Sequence, residues 1–248
     1  MIKIILHGCN GRMGKVLQEI IASSKDCMVV AGIDRYKGEG LDFPVFETPD
    51  KCDVSADVVI DFSNHNAIKD LMDYCINAKM PVVVATTALG ETEKQLLADA
   101  SAHIPVFNSF NMSLGINVIA KVMEAMMSVL EDDFNVEIVE KHHNQKIDSP
   151  SGTALLLADA INDSCKVKKE YIYGRHSKSD ECKITDLGIH AVRGGTIPGE
   201  HTIIFAGPDE VIEITHTALS RNIFARGALK AAKYISQMEK GLYSMKEM

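Results

Sequence analysis

Several things are missing from this chain, and each absence narrows what it does. There is no excess of basic charge: 26 Lys and Arg stand against 34 Asp and Glu, a net charge of −8, which argues against nucleic acid as the main partner. No apolar run approaches the roughly 20 residues of a membrane span. No cysteine belongs to a C-x-x-C pair. The six, at positions 9, 27, 52, 75, 165 and 182, read as unpaired thiols of a reducing cytoplasm. The opening MIKIILHG lacks the separate charged and apolar regions of a secretory signal and reads as a strand, so a cytoplasmic protein is expected. Internal repeats and low-complexity tracts are absent too. What is left, 248 residues with 46% hydrophobic and 24% charged side chains, is enough to bury the core of one large or two modest domains.

The first half alternates strands and helices. A short apolar strand at 2–6 runs into Gly8-Cys9-Asn10-Gly11-Arg12-Met13-Gly14, and a helix is expected over 15–23. Glycines let a backbone approach a pyrophosphate, and the following helix N-terminus stabilises its charge. The spacing, G-x-x-G-x-x-G, is one residue wider at the first gap than the usual dinucleotide pattern, and a plain strand-to-helix turn would also show such a loop. The next strand, 28–33, ends at Asp34, twenty residues after Gly14. An acid there accepts hydrogen bonds from the adenosine ribose, whereas its neighbour Arg35 suits a 2′-phosphate. Strands at 57–61, 82–85 and 104–108 alternate with helices at 67–78 and 91–101, which implies a parallel sheet with ligands at its carboxyl edge. Residues 36–55 read as a polar connection.

A long helix over 114–130 leads into the stretch densest in ionisable chemistry, 134–160. Phe134, Val136 and Ile138 alternate with polar residues, so a strand is expected, with His142 on the Phe134 face and His143 on the other. Lys146 follows. Ser151 is a plausible N-cap for an apolar helix, and the helix N-terminus with Gly152 and Thr153 forms an anion site. A proton donor, a cation and a carboxylate cradle thus share one loop. His142, His143 and Asp148 would also serve as a zinc set. However, adjacent histidines of a strand face opposite ways and no cysteine pair supports them, so no metal is expected. After a charged stretch at 166–183, with an exposed loop at 175–177, the pattern turns β-rich: 187–193, 200–206 and 211–217. The turn signals at Gly194-Gly195 and Gly207-Pro208-Asp209 between these strands suggest antiparallel pairing. A final helix is expected over 221–238.

Taken together, the segment from Glu140-Lys141-His142-His143 through Lys146 to Pro150-Ser151-Gly152-Thr153-Ala154 resembles the signature of the bacterial dihydrodipicolinate reductase family. The Gly8–Gly14 loop, Asp61-Phe62-Ser63, Asn111-Met112-Ser113, Arg193-Gly194-Gly195 and Gly199-Glu200-His201 are similar to that family as well. The resemblance implies an α/β fold: a Rossmann-like nucleotide-binding domain at 1–112 and 220–248, and an α+β substrate and oligomerisation domain at 113–219 with a mainly antiparallel or mixed open sheet. It implies reduction of 4-hydroxy-tetrahydrodipicolinate by NADH or NADPH in lysine biosynthesis, in a homotetramer. His142 and Lys146 would be catalytic. His143, Ser151, Gly152 and Thr153, with Thr87 and Arg221, would hold substrate. The cofactor would lie along Gly8, Cys9, Asn10, Gly11, Arg12 and Met13, with Asp34 and Arg35, Ala85, Thr86 and Thr87, and Ser109, Phe110, Asn111 and Met112. The chain departs from the family at Ala85 and Ala88, where glycine is usual, and at Asn144-Gln145, where some members are basic. A sensor without turnover would need the glycine loop but not the histidine–lysine cluster, which favours an enzyme over that alternative.

Overall fold

The structure, a computed structural model, describes residues 1–36, 38–176 and 181–248. The chain separates into two compact units, one formed by Met1–Leu114 and Arg221–Met248, the other by Gly115–Ser220.

The first unit is built on strands β1 (Ile2–His7), β2 (Cys27–Ile33), β3 (Val45–Phe46), β4 (Val58–Asp61), β5 (Val82–Val84) and β6 (Pro105–Asn108). They alternate with helices α1 (Arg12–Ala22), α2 (Ile68–Ala78) and α3 (Glu91–Ser101). Every residue of β4 and β5 is buried, as parallel strands covered on both faces must be. One face packs on α1 and on helix α6 (Asn222–Ile235) through residues such as Leu6, Ile60, Leu17 and Ala228. The opposite face packs on α2 and α3 through Ile5, Val59, Leu71 and Leu97. All pairings in this sheet are parallel, in the order β12-β6-β5-β4-β1-β2-β3, where β12 is Gly241–Tyr243. The order reverses between β1 and β4, which opens a crevice at their carboxyl ends.

Three features differ from the sequence expectation here. Helix α1 starts at Arg12, inside the glycine loop, rather than at 15. Gly14 is therefore helical, and a Cβ there would lie 2.3 Å from the carbonyl oxygens of both Gly8 and Cys9, so only glycine lets the helix dock on its own loop. The expected polar connection at 36–55 contains the two-residue edge strand β3. The last strand, β12, extends the sheet beyond β6.

The second unit opens one residue into helix α4 (Leu114–Leu130), followed by β7 (Asn135–His142), α5 (Gly152–Ser164), β8 (Glu170–Ile172), β9 (Asp186–Arg193), β10 (Glu200–Ala206) and β11 (Val211–Thr217). Its sheet has the order β11-β10-β7-β9-β8. β10 and β11 form the expected hairpin, but β9 and β10 do not pair. β7 lies between them, parallel to β9 and antiparallel to β10, so Gly194-Gly195 turns a chain that steps over a strand. The sheet is mixed. The buried residues of β7 are Val136, Ile138, Glu140 and His142, which pack with α4 and α5 residues such as Met123, Leu157 and Ile161 at the apolar positions. In the expected loop at 175–177, Ser177 lies outside the described residues. Among the described residues no helix is long and apolar enough to cross a membrane.

Candidate active site

Strand β7 sets the geometry of the second unit's site. Its alternation puts His142 on the same buried side as Phe134, and puts Glu140 there too. Glu140 is fully buried, and an unpaired carboxylate in that position would be strongly unfavourable. Register supplies its partners. β9 places Arg193 beside His142, and β10 places His201 beside Glu140. Arg193 grips the carboxylate with both arms, Nη1 donating to Oε2 at 2.6 Å and Nη2 to Oε1 at 2.7 Å. The Ser151 N–H donates to Oε1 at 3.0 Å, and His142 Nδ1 lies 2.7 Å from Oε2. Burial works against the Glu140 charge, but the Arg193 fork, His142 and the Ser151 amide outweigh it and hold the pKa below the usual carboxylate range. For His142, burial lowers the pKa, Glu140 partly offsets this, and Lys146 and Arg193 add to the lowering. Its imidazole is therefore neutral at neutral pH.

Ser151 caps α5 as expected: its hydroxyl accepts from the Ala154 N–H at 3.2 Å. The same oxygen lies 2.8 Å from His201 Nε2, and Ser151 is buried. The Ser151 hydroxyl thus supports the helix start and His201, while the Gly152 amide at the positive end of α5 donates to the Asp148 carboxylate and helps lower its pKa. His201 stands edge-on to His142, ring centroids 5.1 Å apart. Burial, with the neighbouring His142, pushes the His201 pKa down to about 4.

Lys146 closes a tight turn, its N–H donating to the His143 carbonyl at 3.1 Å. Its ammonium lies 2.8 Å from both oxygens of Asp148. Burial raises the Asp148 pKa, but the Lys146 bond and charge more than compensate. β7 ends at His142, so alternation does not reach His143, which is half-buried with its Nδ1 lacking a hydrogen-bond partner among the described residues.

In the first unit the carboxyl edge of the sheet carries the predicted cofactor residues. Gly8 takes a left-handed φ of 77° where the chain leaves β1. Gly11 is the N-cap of α1, with no side-chain cap and no acid in the first turn, so among the described residues no side chain caps the helix start. Cys9 is buried in the core, its thiol pushed up to about 11 by burial and by Asp34; only its backbone faces the loop. Asp34 accepts the Asn10 N–H at 2.9 Å and the Tyr36 N–H at 3.1 Å, which binds the glycine loop to the end of β2. Arg35 is exposed. Gly8, Gly11, Asp34, Arg35, Thr48 and Ser63 are among the residues lining a cleft of about 400 Å³. Bare amides at a helix start, a ribose-accepting acid and a cleft of this size fit the adenosine and phosphate portion of a dinucleotide.

Thr86 is buried and donates to Asp61 Oδ2 at 2.7 Å, while the Ser63 hydroxyl donates to Oδ1 at 2.6 Å; Asp61 ties the ends of β4 and β5 together. Thr87 is exposed. Ala85 is buried, and Ala88 adopts a left-handed φ of 59°. Ser109 donates to the Asn111 carbonyl at 3.3 Å, and the Asn111 side chain accepts the Ser113 N–H at 2.8 Å. Met112 is buried against Gly227 of α6, and Phe110 is exposed. Arg12 is exposed at the start of α1, Met13 is half-buried, and Arg221 is the N-cap of α6. Thr87 and Arg221 belong to the first unit, and His142, His143, Lys146 and Ser151 to Thr153 to the second. Glu140, Arg193 and His201 received no site role from sequence reasoning, although Glu140 shares the strand face of His142.

Comparison with known proteins agrees with this arrangement. The families described as "Dihydrodipicolinate reductase, N-terminus" and "Dihydrodipicolinate reductase, C-terminus" match residues 2–112 and 115–248. A 4-hydroxy-tetrahydrodipicolinate reductase of Caldanaerobacter subterraneus subsp. tengcongensis is 52% identical, the match covering 100% of this chain and 98% of that one. One from Clostridium tetani is 49% identical over 99% and 96%. Among solved structures, a dipicolinate-bound dihydrodipicolinate reductase from Paenisporosarcina sp. TG-14 shares the fold, with TM-score 0.84 and 20% identity over 100% and 99% of the two chains. A probable dehydrogenase from Thermotoga maritima shares it more loosely, with TM-score 0.67 and 15% identity over 99% and 92%, so the fold alone does not select the substrate. The full-length identities do: this chain belongs to the dihydrodipicolinate reductase family over essentially its whole length.

Proposed function

We propose that the chain reduces 4-hydroxy-tetrahydrodipicolinate with NADH or NADPH, in the diaminopimelate route to lysine in the cytoplasm. The observation that carries this reading is the constellation in the second unit: a neutral His142, the Lys146 ammonium and the amide end of α5 on one short segment. The substrate is a cyclic dicarboxylate. The reaction takes up one hydride and one proton and loses water, so it needs an anion cradle and a proton source. Bound at the glycine loop, the nicotinamide cofactor supplies the hydride. Lys146 delivers the proton, His142 holds or relays one, and His143, Gly152 and Thr153, with Thr87 and Arg221, bind the carboxylates. Ser151 contributes by fixing the start of α5.

In this reading the first unit binds the dinucleotide and the second binds substrate and assembles the oligomer. Gly8 to Met13, Asp34, Arg35, Ala85 to Thr87 and Ser109 to Met112 line the cofactor. Asp34 suits a free ribose diol and exposed Arg35 a 2′-phosphate, so both cofactors are used, NADH at least as well as NADPH. The second unit's sheet has its helices on the Ile138 and Ile203 face. The other face carries Val139, Ile204 and Ala206, all half-buried, and exposed Val211, which a homotetramer would cover. A monomeric mass by light scattering at micromolar concentration would contradict the assembly. The activity is tested by adding freshly generated 4-hydroxy-tetrahydrodipicolinate to purified protein with NADH or NADPH. Substrate-dependent loss of the reduced nicotinamide absorbance is expected; none with either cofactor overturns the proposal.

A further inference from the structure

The buried carboxylate behind His142 has no part in the chemistry described so far, yet it is among the most heavily bonded side chains in the second unit. We propose that Glu140, clamped by Arg193, is a positioning residue: it holds His142 in the tautomer that carries its proton on Nδ1 and presents an unprotonated Nε2 at the site. The proposal rests on the reading of His142 as a proton-handling residue and deepens it.

The donors and lone pairs around Glu140 fix the tautomer. Oε1 accepts from Arg193 Nη2 and the Ser151 amide, and Oε2 accepts from Arg193 Nη1. An ionised carboxylate has nothing to donate, so the contact with His142 Nδ1 at 2.7 Å requires the proton to be on the imidazole. A neutral ring then has its lone pair on Nε2. An added Cβ at Gly199 would lie 3.0 Å from that nitrogen. Glycine at 199 leaves the approach to Nε2 open.

Arg193 does more than fill the carboxylate's remaining sites. A bare Glu140 charge would draw a second proton onto His142. The guanidinium balances that charge, and its Nη2 also donates to the Asp148 carbonyl at 2.8 Å, tying the Lys146 turn to the same anchor. The charged and titratable groups around His142 are Glu140, Arg193, Lys146 and His201. Of these only Glu140 favours the imidazolium, and it is already committed to Arg193.

Glu140→Gln gives a sharp outcome. An amide nitrogen at the Oε1 position would confront two donors, Arg193 Nη2 and the Ser151 N–H. At the Oε2 position it confronts Arg193 Nη1 but can donate to His142, provided the ring moves its proton to Nε2. The second arrangement leaves fewer donors opposed, so the variant should invert the tautomer of His142. With Nε2 now a donor, kcat should fall roughly a hundredfold or more, while KM for NADH stays near normal.

Nitrogen-15 NMR of the wild-type protein at neutral pH should show His142 protonated on Nδ1 and bare on Nε2. A wild-type spectrum with the proton on Nε2 overturns the proposal whether or not any variant folds. Glu140→Gln should reverse the two nitrogens, and Arg193→Gln should raise the pH at which His142 titrates. A folded Glu140→Gln protein with unchanged tautomer and kcat, or an Arg193→Gln protein with unchanged His142 titration, also overturns it. A His142→Ala protein with normal kcat would instead refute the proton-handling reading, and the wild-type tautomer would still be measurable.

Discussion

Removing the Lys146 ammonium separates catalysis from folding. Among the described residues that ammonium pairs with the Asp148 carboxylate, whose side chain is 60% exposed. Loss of a pair with so wet a partner changes stability by less than about 1 kcal/mol, and the freed carboxylate is resolvated. The Lys146 backbone bond to His143 does not involve the side chain, so Lys146→Ala keeps the turn. Proton delivery and charge stabilisation act mainly in the transition state, and loss of a general acid costs roughly a hundred- to ten-thousand-fold. The expected result is therefore a kcat reduced by that factor, a smaller change in substrate KM, unchanged NADH affinity and a melting temperature within a few degrees of wild type. The assay pairs steady-state oxidation of NADH with a thermal melt on the same preparation. A folded variant with kcat within about twofold of normal, the behaviour of an ordinary surface substitution, would refute the assignment and leave His142 as the remaining candidate.

Three further outcomes are expected. Asp34→Ala should weaken NADH more than NADPH in a binding titration, since in the proposed reading the acid serves the ribose diol; equal losses would remove the argument for that contact. Ala88→Gly should stabilise the protein by about 0.5–1 kcal/mol, because a left-handed residue with a Cβ costs roughly 1–2 kcal/mol and glycine's greater unfolded freedom returns part of it; a melting temperature at or below wild type would contradict this. His201, lowered from 6.5 to about 4, protonates more readily in the unfolded chain, so its contribution is complete above about pH 6.5 and is lost as pH falls towards about 4. The gap corresponds to about 3 kcal/mol. Urea unfolding across that range should show the loss, and His201→Gln, whose amide can still reach Ser151, should flatten it. An unchanged acid slope in the variant would assign the effect elsewhere.

What was legible in the sequence is what local pattern encodes. The β1–glycine loop–α1 unit announces itself through glycines that the backbone needs, and the alternation from Phe134 to Ile138 correctly carried His142 to the buried side of β7. Strands β3, β8 and β12 have two or three residues each, too few for a period to emerge, and edge pairing rather than composition creates them. The insertion of β7 between β9 and β10 leaves no trace at Gly194-Gly195, because a turn residue reports the bend and not the strand it bends around. Glu140 shows the same limit in the site. Alternation buries it, and burial demands partners, but the arginine that answers lies 53 residues away, brought there by a register that only the folded sheet supplies.

The Lys146–Asp148 contact gives the site the character of an ion exchanger. The ammonium already holds a carboxylate by both oxygens, so an anion arriving there trades places with one already present, and the count of charges on the lysine is unchanged. The tethered competitor sits on the same turn, two residues away, at an effective concentration in about the millimolar range. A solitary carboxylate in solution gains little by displacing it. Under the proposed function, a ring carrying two carboxylates, the second engaging other donors, would gain a contact that Asp148 cannot match, and the lysine would then discriminate by valency before any hydride moves.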